Sequence, residues 1–297
     1  GDDATTNPNL RLSEALTSGS LLLEVRPRFN LITETAKPET TEVTTVRALV
    51  GWRSAPAHDL RLTAQAILTG KPRPGVGPQD IALADRRSNG EVVTGVKLGL
   101  TSRAKQQQMG VDEPSVAWLT DAMVLPAGLP VPADRLIHPR AEPEIAFVMG
   151  RRLAGPGVTA ATALAAVDVI LGAIEIIDSR YSGFKFTLAD AVADNNSSGV
   201  YVTGGIARRA ADVDLPLEAC LLEIDGHVVD SATGSAVLGN PAEALAFAAN
   251  TLAARGHAIE AGWIVLTGGM TDAVAVERGA RVAAHFTTLG SITLAGG

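Results

Sequence analysis

The sequence predicts an α+β fold organised around a large, curved, mostly antiparallel sheet system. Short β runs separated by turns fill the second half of the chain, and helical segments there are few. One well-marked helix stands among them. Asn240-Pro241 supplies an N-cap and a proline at the first helical position, and Gly256 stops the segment just after Arg255. Asp225-Gly226, between two β runs, has the composition of a tight hairpin turn.

Residues 1–50 are rich in Thr, Glu, Asn and Pro, as in Thr33-Glu-Thr-Ala-Lys-Pro-Glu-Thr-Thr-Glu42. They are expected to form an irregular or partly disordered extension, with Leu21–Val25 as one short strand. Leu60–Leu68 reads as a helix, and Lys71-Pro-Arg-Pro-Gly-Val-Gly-Pro78 breaks the chain after it. Val92–Leu100 reads as a strand. Thr101 or Ser102 then caps a short helix through Met109, with Gly110 at its end. A further helix follows Thr159 and runs through Val167. The remaining strands are expected at Ala219–Ile224, His227–Asp230, Ile264–Leu266, Ala273–Val276, Arg281–Phe286 and Ser291–Leu294.

Composition limits the function classes. The chain has 297 residues, 46% of them hydrophobic, which is ample for a sizeable core. Its formal net charge is −7, and no basic stripe is visible, so a general nucleic-acid binder is not expected. No uninterrupted apolar stretch reaches the ~18 residues of a membrane-spanning helix, and the start lacks a basic segment followed by an apolar one. The single cysteine, Cys220, rules out an intramolecular disulfide framework, and its Leu221 and Leu222 neighbours suit a core position. A cytoplasmic protein is expected. Walker A, Gly-x-Ser-x-Gly and paired-cysteine zinc motifs are absent from the sequence.

Three carboxylates stand where carboxylates are costly. Glu142 and Glu144 lie in Ala141-Glu-Pro-Glu-Ile-Ala-Phe-Val-Met149, two residues apart and therefore on one face of a strand. Glu175 interrupts the apolar run Val169-Ile-Leu-Gly-Ala-Ile-Glu-Ile-Ile177. A hard divalent cation would resolve both the repulsion and the lost hydration. The alternative is a solvated pair at a strand start together with a Glu175 paired to an arginine. Asp178 falls on the opposite strand face and accepts local hydrogen bonds or pairs with Arg180.

Other polar groups carry two readings each. Lys97, in the otherwise apolar Gly95-Val-Lys-Leu-Gly99, is either desolvated with a lowered pKa, suited to proton transfer or anion binding, or extends to the surface. Arg180 and Lys185, in Asp178-Ser-Arg-Tyr-Ser-Gly-Phe-Lys-Phe186, either hold substrate carboxylates or are solvated loop cations. Ala193-Asp-Asn-Asn-Ser-Ser-Gly199, which contains Ser198, is a polar cluster able to offer hydrogen bonds or simply to turn the chain. Leu266-Thr-Gly-Gly-Met-Thr271 follows a strand, and the backbone N–H groups of Gly268 and Gly269 could approach a carboxylate or oxyanion.

Several motifs together resemble the hydratase/decarboxylase branch of the fumarylacetoacetate hydrolase superfamily. They are Lys97-Leu-Gly-Leu-Thr-Ser-Arg-Ala-Lys105, Gln108-Met-Gly-Val-Asp-Glu-Pro114, Ile137-His-Pro-Arg-Ala-Glu-Pro-Glu-Ile-Ala-Phe147, Glu175-Ile-Ile-Asp-Ser-Arg-Tyr181 and Ala193-Asp-Asn-Asn196. Ala261-Gly-Trp-Ile-Val-Leu-Thr-Gly-Gly269 and Leu289-Gly-Ser-Ile292 complete the set. The resemblance covers residues 91–297 and implies a mixed β-sheet roll or sandwich with a few flanking helices. It places a catalytic domain over residues 51–297.

The resemblance also implies a chemistry. Glu142, Glu144 and Glu175 would be ligands of Mg²⁺ or Mn²⁺, which binds the 2-oxo acid end of a small 2-oxo dicarboxylic acid from aromatic meta-cleavage. Lys97 would be the catalytic lysine; Arg180, Lys185, Ser198, Gly268, Gly269 and Thr271 would bind substrate. Ser115 stands where the hydratases of this branch carry an aspartate, which favours loss of CO₂ from 2-oxo-3-hexenedioate (4-oxalocrotonate). The alternatives are a 2-oxopent-4-enoate hydratase using Glu113 or Asp112 to activate water, and a non-catalytic assembly subunit. A homo-oligomer, and association with a paralogous hydratase, are the partner expectations.

Overall fold

The computed structural model describes residues 43–51, 61–69, 78–109 and 111–297. Leu21–Val25 and Gly110 therefore lie outside the described residues. Strand β1 (Val43–Gly51) pairs antiparallel with β2 (Arg61–Thr69) as a separate two-stranded sheet. This corrects two expectations: of the segment Leu60–Leu68 read as a helix, the described residues 61–68 are strand, and the region read as irregular contains the strand that begins at Val43. Long-range pairing decides between helix and strand for such apolar runs, and single-segment periodicity does not contain it.

Helix α1 (Pro78–Ser88) follows, unanticipated because the proline-rich stretch before it ends on its first residue. Arg255 ion-pairs with Asp80 and donates to Gln79 Oε1 at 2.9 Å, fastening α1 beside the end of the long helix. Next come β3 (Val93–Gly99), α2 (Arg103–Met109), β4 (Ser115–Thr120), β5 (Arg140–Met149), α3 (Ala160–Leu164) and β6 (Val167–Ile177). Thr159 caps α3 through a reciprocal hydroxyl–backbone box with Thr162, as its position suggested. The helix stops at Leu164, and Val167 already belongs to β6, shorter than expected. Helix α4 (Leu188–Ala193) and β7 (Ser198–Thr203) complete the first layer.

The main sheet runs in the order β4-β3-β10-β5-β6-β7, where β10 is Ile264–Leu266; β11 (Val274–Ala275) adds to β5. All its pairings are antiparallel except β3 with β10. A second sheet has the order β13-β12-β8-β9, from β8 (Ala219–Ile224), β9 (His227–Thr233), β12 (Arg281–Phe286) and β13 (Gly290–Ala295). Asp225 and Gly226 both take positive φ at the β8–β9 turn, as a type of hairpin favoured by Asp-Gly requires. Helix α5 (Pro241–Ala254) begins at Asn240, whose side chain accepts from Ala242 N–H at 2.9 Å.

The large core lies between the layers. Ile145, Phe147, Ile170, Ile174, Leu222, Val282 and Leu245 are fully buried in one continuous cluster. Phe286 packs onto Gly172, where any β-carbon would sit 2.8 Å from the ring. The opposite face of the main sheet carries a smaller apolar cluster of Leu119, Met123, Ala146, Ala173, Tyr201 and Leu266. That second face also bears the polar residues of interest. Lys97 pairs in register with Leu266, Leu266 with Ala146, and Glu142 with Glu175, so alternation places all of them on one side. Among the described residues no helix is long and apolar enough to cross a membrane.

A buried carboxylate cluster and its cavity

Glu142, Glu144 and Glu175 converge, each offering an oxygen within 4.8 Å of the others. The strand register makes this unavoidable: Glu142 stands directly across from Glu175, and Glu144 follows two residues along the same face. Burial is nearly complete, with Glu144 0% and Glu175 1% exposed. Close approach of backbone makes room. A β-carbon on Gly269 would lie 2.8 Å from the Glu142 carboxyl carbon, so a glycine is needed where the chain passes that side chain.

Two lysines face the cluster. Lys97 Nζ is 2.9 Å from Glu175 Oε2, an ion pair set off the hydrogen-bond direction, and it donates to the Asn196 carbonyl at 3.0 Å. Lys105 Nζ donates to Glu142 Oε1 at 2.8 Å and to the Thr271 carbonyl at 3.1 Å. Gly268 N–H donates to Glu144 Oε2 at 2.7 Å. Glu144 Oε1 and both Glu175 oxygens make no hydrogen bond although buried. Three converging carboxylates with oxygens left over suit a hard divalent cation, whose preferred ligands are carboxylate oxygens.

Electrostatics follow from this crowding. Burial first, and then the Glu175 charge, push the Glu144 carboxyl well above the usual carboxylate range. Burial also raises Glu175, against the opposing pull of Lys97. Burial alone would depress Lys97, as the sequence suggested; the Glu175, Glu144 and Glu142 charges outweigh it and hold its pKa above the ordinary value. The expectation of a lowered lysine pKa is therefore corrected: the strand lysine is a retained ammonium.

A cavity of about 400 Å³ opens beside the cluster. Lys97, Lys105, Ser115, Arg140, Asn196 and Gly269 are among its lining residues. Asn195, Asn196 and Ser197 all take positive φ, between 50° and 55°, a strained left-handed run that non-glycine residues rarely adopt. The Asn195 side chain holds this turn by accepting from Trp118 N–H at 2.9 Å and donating to its carbonyl at 2.8 Å. Strain and anchor together aim the Asn196 carbonyl at Lys97. The Asn196 amide and the Ser115 hydroxyl, both more than nine-tenths buried, have no hydrogen-bond partner. They flank Gly99, where a β-carbon would press 3.2 Å from Ser115 Oγ and 3.3 Å from Asn196 Nδ2.

The other expected site residues divide. Gly269 lines the cavity, but the Gly268 N–H is engaged by Glu144 instead of facing a ligand. Thr271 contributes its carbonyl to Lys105, and its hydroxyl donates to the Asp272 carbonyl. Arg180 is directed away: its guanidinium binds the Asp194 carboxylate and the Ser198 carbonyl. Ser198 Oγ donates to the Asn195 carbonyl at 2.6 Å, and the neighbouring Ser197 lines the cavity in its place. Lys185 is exposed and outside the lining, between Phe184 and Phe186, which are part of it. Asp178 accepts from the N–H groups of Ile137 and His138, 41 and 40 residues away, so neither the expected local hydrogen bonds nor the Arg180 pair is what holds it. Asp112 and Glu113 are exposed and outside the lining.

Sequence reasoning missed Lys105 and Arg140. A lysine on a short helix looks like any solvated lysine. Arg140, however, precedes Glu142 by two residues, and the same-face rule that selected the glutamate pair applies to it equally.

Residues 89–294 match the family model described as fumarylacetoacetate (FAA) hydrolase, C-terminal. The chain belongs to the fumarylacetoacetate hydrolase family. Within that family it is 44% identical over 208 residues to a 4-oxalocrotonate decarboxylase from Pseudomonas putida, covering 70% of this chain and 79% of that one. It is 41% identical over 207 residues to a 2-keto-4-pentenoate hydratase from Burkholderia vietnamiensis, covering 70% and 79%. Among solved structures, the 4-oxalocrotonate decarboxylase from Pseudomonas putida G7 complexed with magnesium and adipate superposes with a TM-score of 0.71 at 40% identity, covering 73% of this chain and 84% of that one. The family fold, with mixed curled sheets and few helices, agrees with the α+β expectation.

Proposed function

We propose that this protein is a divalent-metal-dependent carboxy-lyase. It converts 2-oxo-3-hexenedioate (4-oxalocrotonate) to 2-hydroxypenta-2,4-dienoate and CO₂, a step in the meta-cleavage breakdown of aromatic rings. The observation that carries the reading is the buried trio of Glu142, Glu144 and Glu175, with oxygens that accept no hydrogen bond, beside a cavity that Lys97 also lines. The family relationship and the decarboxylase relatives support the choice of reaction.

Glu142, Glu144 and Glu175 would hold the cation, Mg²⁺ or Mn²⁺. Bound there, it supplies positive charge to the 2-oxo acid end of the substrate, where the electrons of the breaking bond collect. The chain does the rest. The C5–C6 bond breaks, CO₂ leaves, and the electron pair shifts through the C3–C4 double bond toward the C2 oxygen. Lys97 delivers the proton that turns this oxygen into the product hydroxyl. Lys105 holds Glu142 in place through its ion pair. Ser115 and Asn196 offer neutral hydrogen bonds to the substrate from the cavity wall. Since Asp112 and Glu113 stand outside the cavity lining, the water-activating group that the hydratase reading assigned to them lacks a place at the cavity.

The test is CO₂ release from 2-oxo-3-hexenedioate, assayed beside hydration of 2-hydroxypentadienoate. EDTA should abolish the first reaction and Mg²⁺ or Mn²⁺ restore it. Full turnover by metal-free protein, or hydration without CO₂ release, would overturn the reading.

A further inference from the structure

We infer that Arg140 binds the second carboxylate of the substrate and makes the cavity selective for 2-oxo dicarboxylic over 2-oxo monocarboxylic acids. This rests on the proposed function above and deepens it. Arg140 opens β5, and alternation puts it on the same face as Glu142 and Glu144, one two-residue step of ~6.6 Å before Glu142. Its cross-strand neighbour Ile177 lines the cavity with it. A ligand whose 2-oxo acid end lies at the carboxylate trio would extend its far end along this face.

Charge accounting singles out this arginine. Lys97 is paired with Glu175, and Lys105 with Glu142. Arg180, the sequence-based candidate, is paired with Asp194 and lies outside this cavity's lining. Arg140 lines the cavity, and its guanidinium forms no ion pair or hydrogen bond with any described residue. Asp272 also lines the wall, yet makes no ion pair with Arg140, and its charge acts on Lys105. Instead the Arg140 guanidinium lies over the Phe184 ring, 4.3 Å from its centroid, and Phe184 is itself stacked on His138 at 4.6 Å. Placement over a ring face holds the guanidinium by cation–π attraction and uses none of its N–H donors. Its donor edge is the feature that matches a carboxylate with two parallel hydrogen bonds.

The same geometry limits what Arg140 contributes. A clamp on the departing carboxylate would stabilise the substrate more than the transition state, so Arg140 acts on binding and selectivity. Its removal should raise KM far more than it lowers kcat.

The experiment is calorimetric binding to Mg²⁺-loaded protein of two saturated, unreactive probes of equal chain length, 2-oxohexanedioate and 2-oxohexanoate. Wild type should prefer the dicarboxylate by about 10- to 100-fold, the worth of a charge-assisted contact. Arg140→Gln should lose that preference while binding the monocarboxylate within about twofold of wild type, and Arg140→Lys should recover part of it. An Arg140→Gln variant that keeps the preference, or that loses both ligands equally, would overturn the assignment of Arg140 alone. A wild-type protein with no preference would overturn the dicarboxylate substrate itself, and with it the proposed function.

Discussion

The two faces of β5 follow opposite rules. Ile145 and Phe147 point into the large core, fully buried among apolar side chains. Each such burial stabilises the fold by about 1.5–3 kcal/mol. Glu142 and Glu144 point the other way, also buried, and there burial and the neighbouring Glu175 charge push the Glu144 carboxyl well above the usual carboxylate range. One face maximises stability; the other retains buried charge at a cost to it. The cost falls where strain is also concentrated, at the left-handed Asn195–Ser197 turn. Two sides of one strand thus separate what holds the protein together from its proposed site.

Substitutions on the two faces should separate cleanly. The largest effect is expected from Glu144→Gln, which should reduce CO₂ release by on the order of 10²-fold or more. Its metal-free form should be at least as stable as wild type in thermal melts, because a crowded buried charge has been removed. A pronounced loss of stability would break the contrast. Phe147→Ala is the converse. It should cost about 3–5 kcal/mol in denaturant titrations through cavity formation, with metal affinity of the folded protein unchanged.

Gly269→Ala sharpens the boundary of the site face. The added methyl would meet the Glu142 carboxylate, and metal titration should show an affinity loss of about 10-fold with little change in folding. A smaller effect concerns pH. Glu144 holds its proton more tightly in the folded state than in the unfolded chain, so metal-free protein should lose stability as pH rises above the ordinary value of 4.5 toward the raised folded one. Glu175 contributes with the same sign. Melting temperatures across that range should fall less steeply in Glu144→Gln. The smallest effect belongs to the core: Cys220 is 1% exposed and its thiol is pushed up to about 12, so native protein at pH 8 should leave a thiol reagent unreacted until denatured.

Much of the later chain was legible because its signals are local. Ile264–Leu266 and Arg281–Phe286 have the expected bounds, and Asn240 caps α5 as expected. Elements that depend on distant partners were not. Ser115–Thr120 and Ser198–Thr203 were not recognised as strands, and Leu60–Leu68 was misread, since each is defined by the strand it pairs with. The glutamate trio could be found because a period of two links Glu142 to Glu144 and because Glu175 interrupts an apolar run. Arg180 and Lys185 were chosen for their charge, and charge in sequence carries no direction.

By itself, the sequence pointed to the class of fold and singled out the three carboxylates and Lys97, through spacing and the contrast of a charge with its neighbours, and the family resemblance joined that lysine to the trio. Only the tertiary structure decided that Glu175 stands opposite Glu142, that Lys97 stays charged, and which cations face the cavity. Those outcomes depend on cross-strand register and on the sum of charges brought together from three separate strands and a helix. Electrostatic energy is a function of distance in space, and the order of residues along the chain does not contain it.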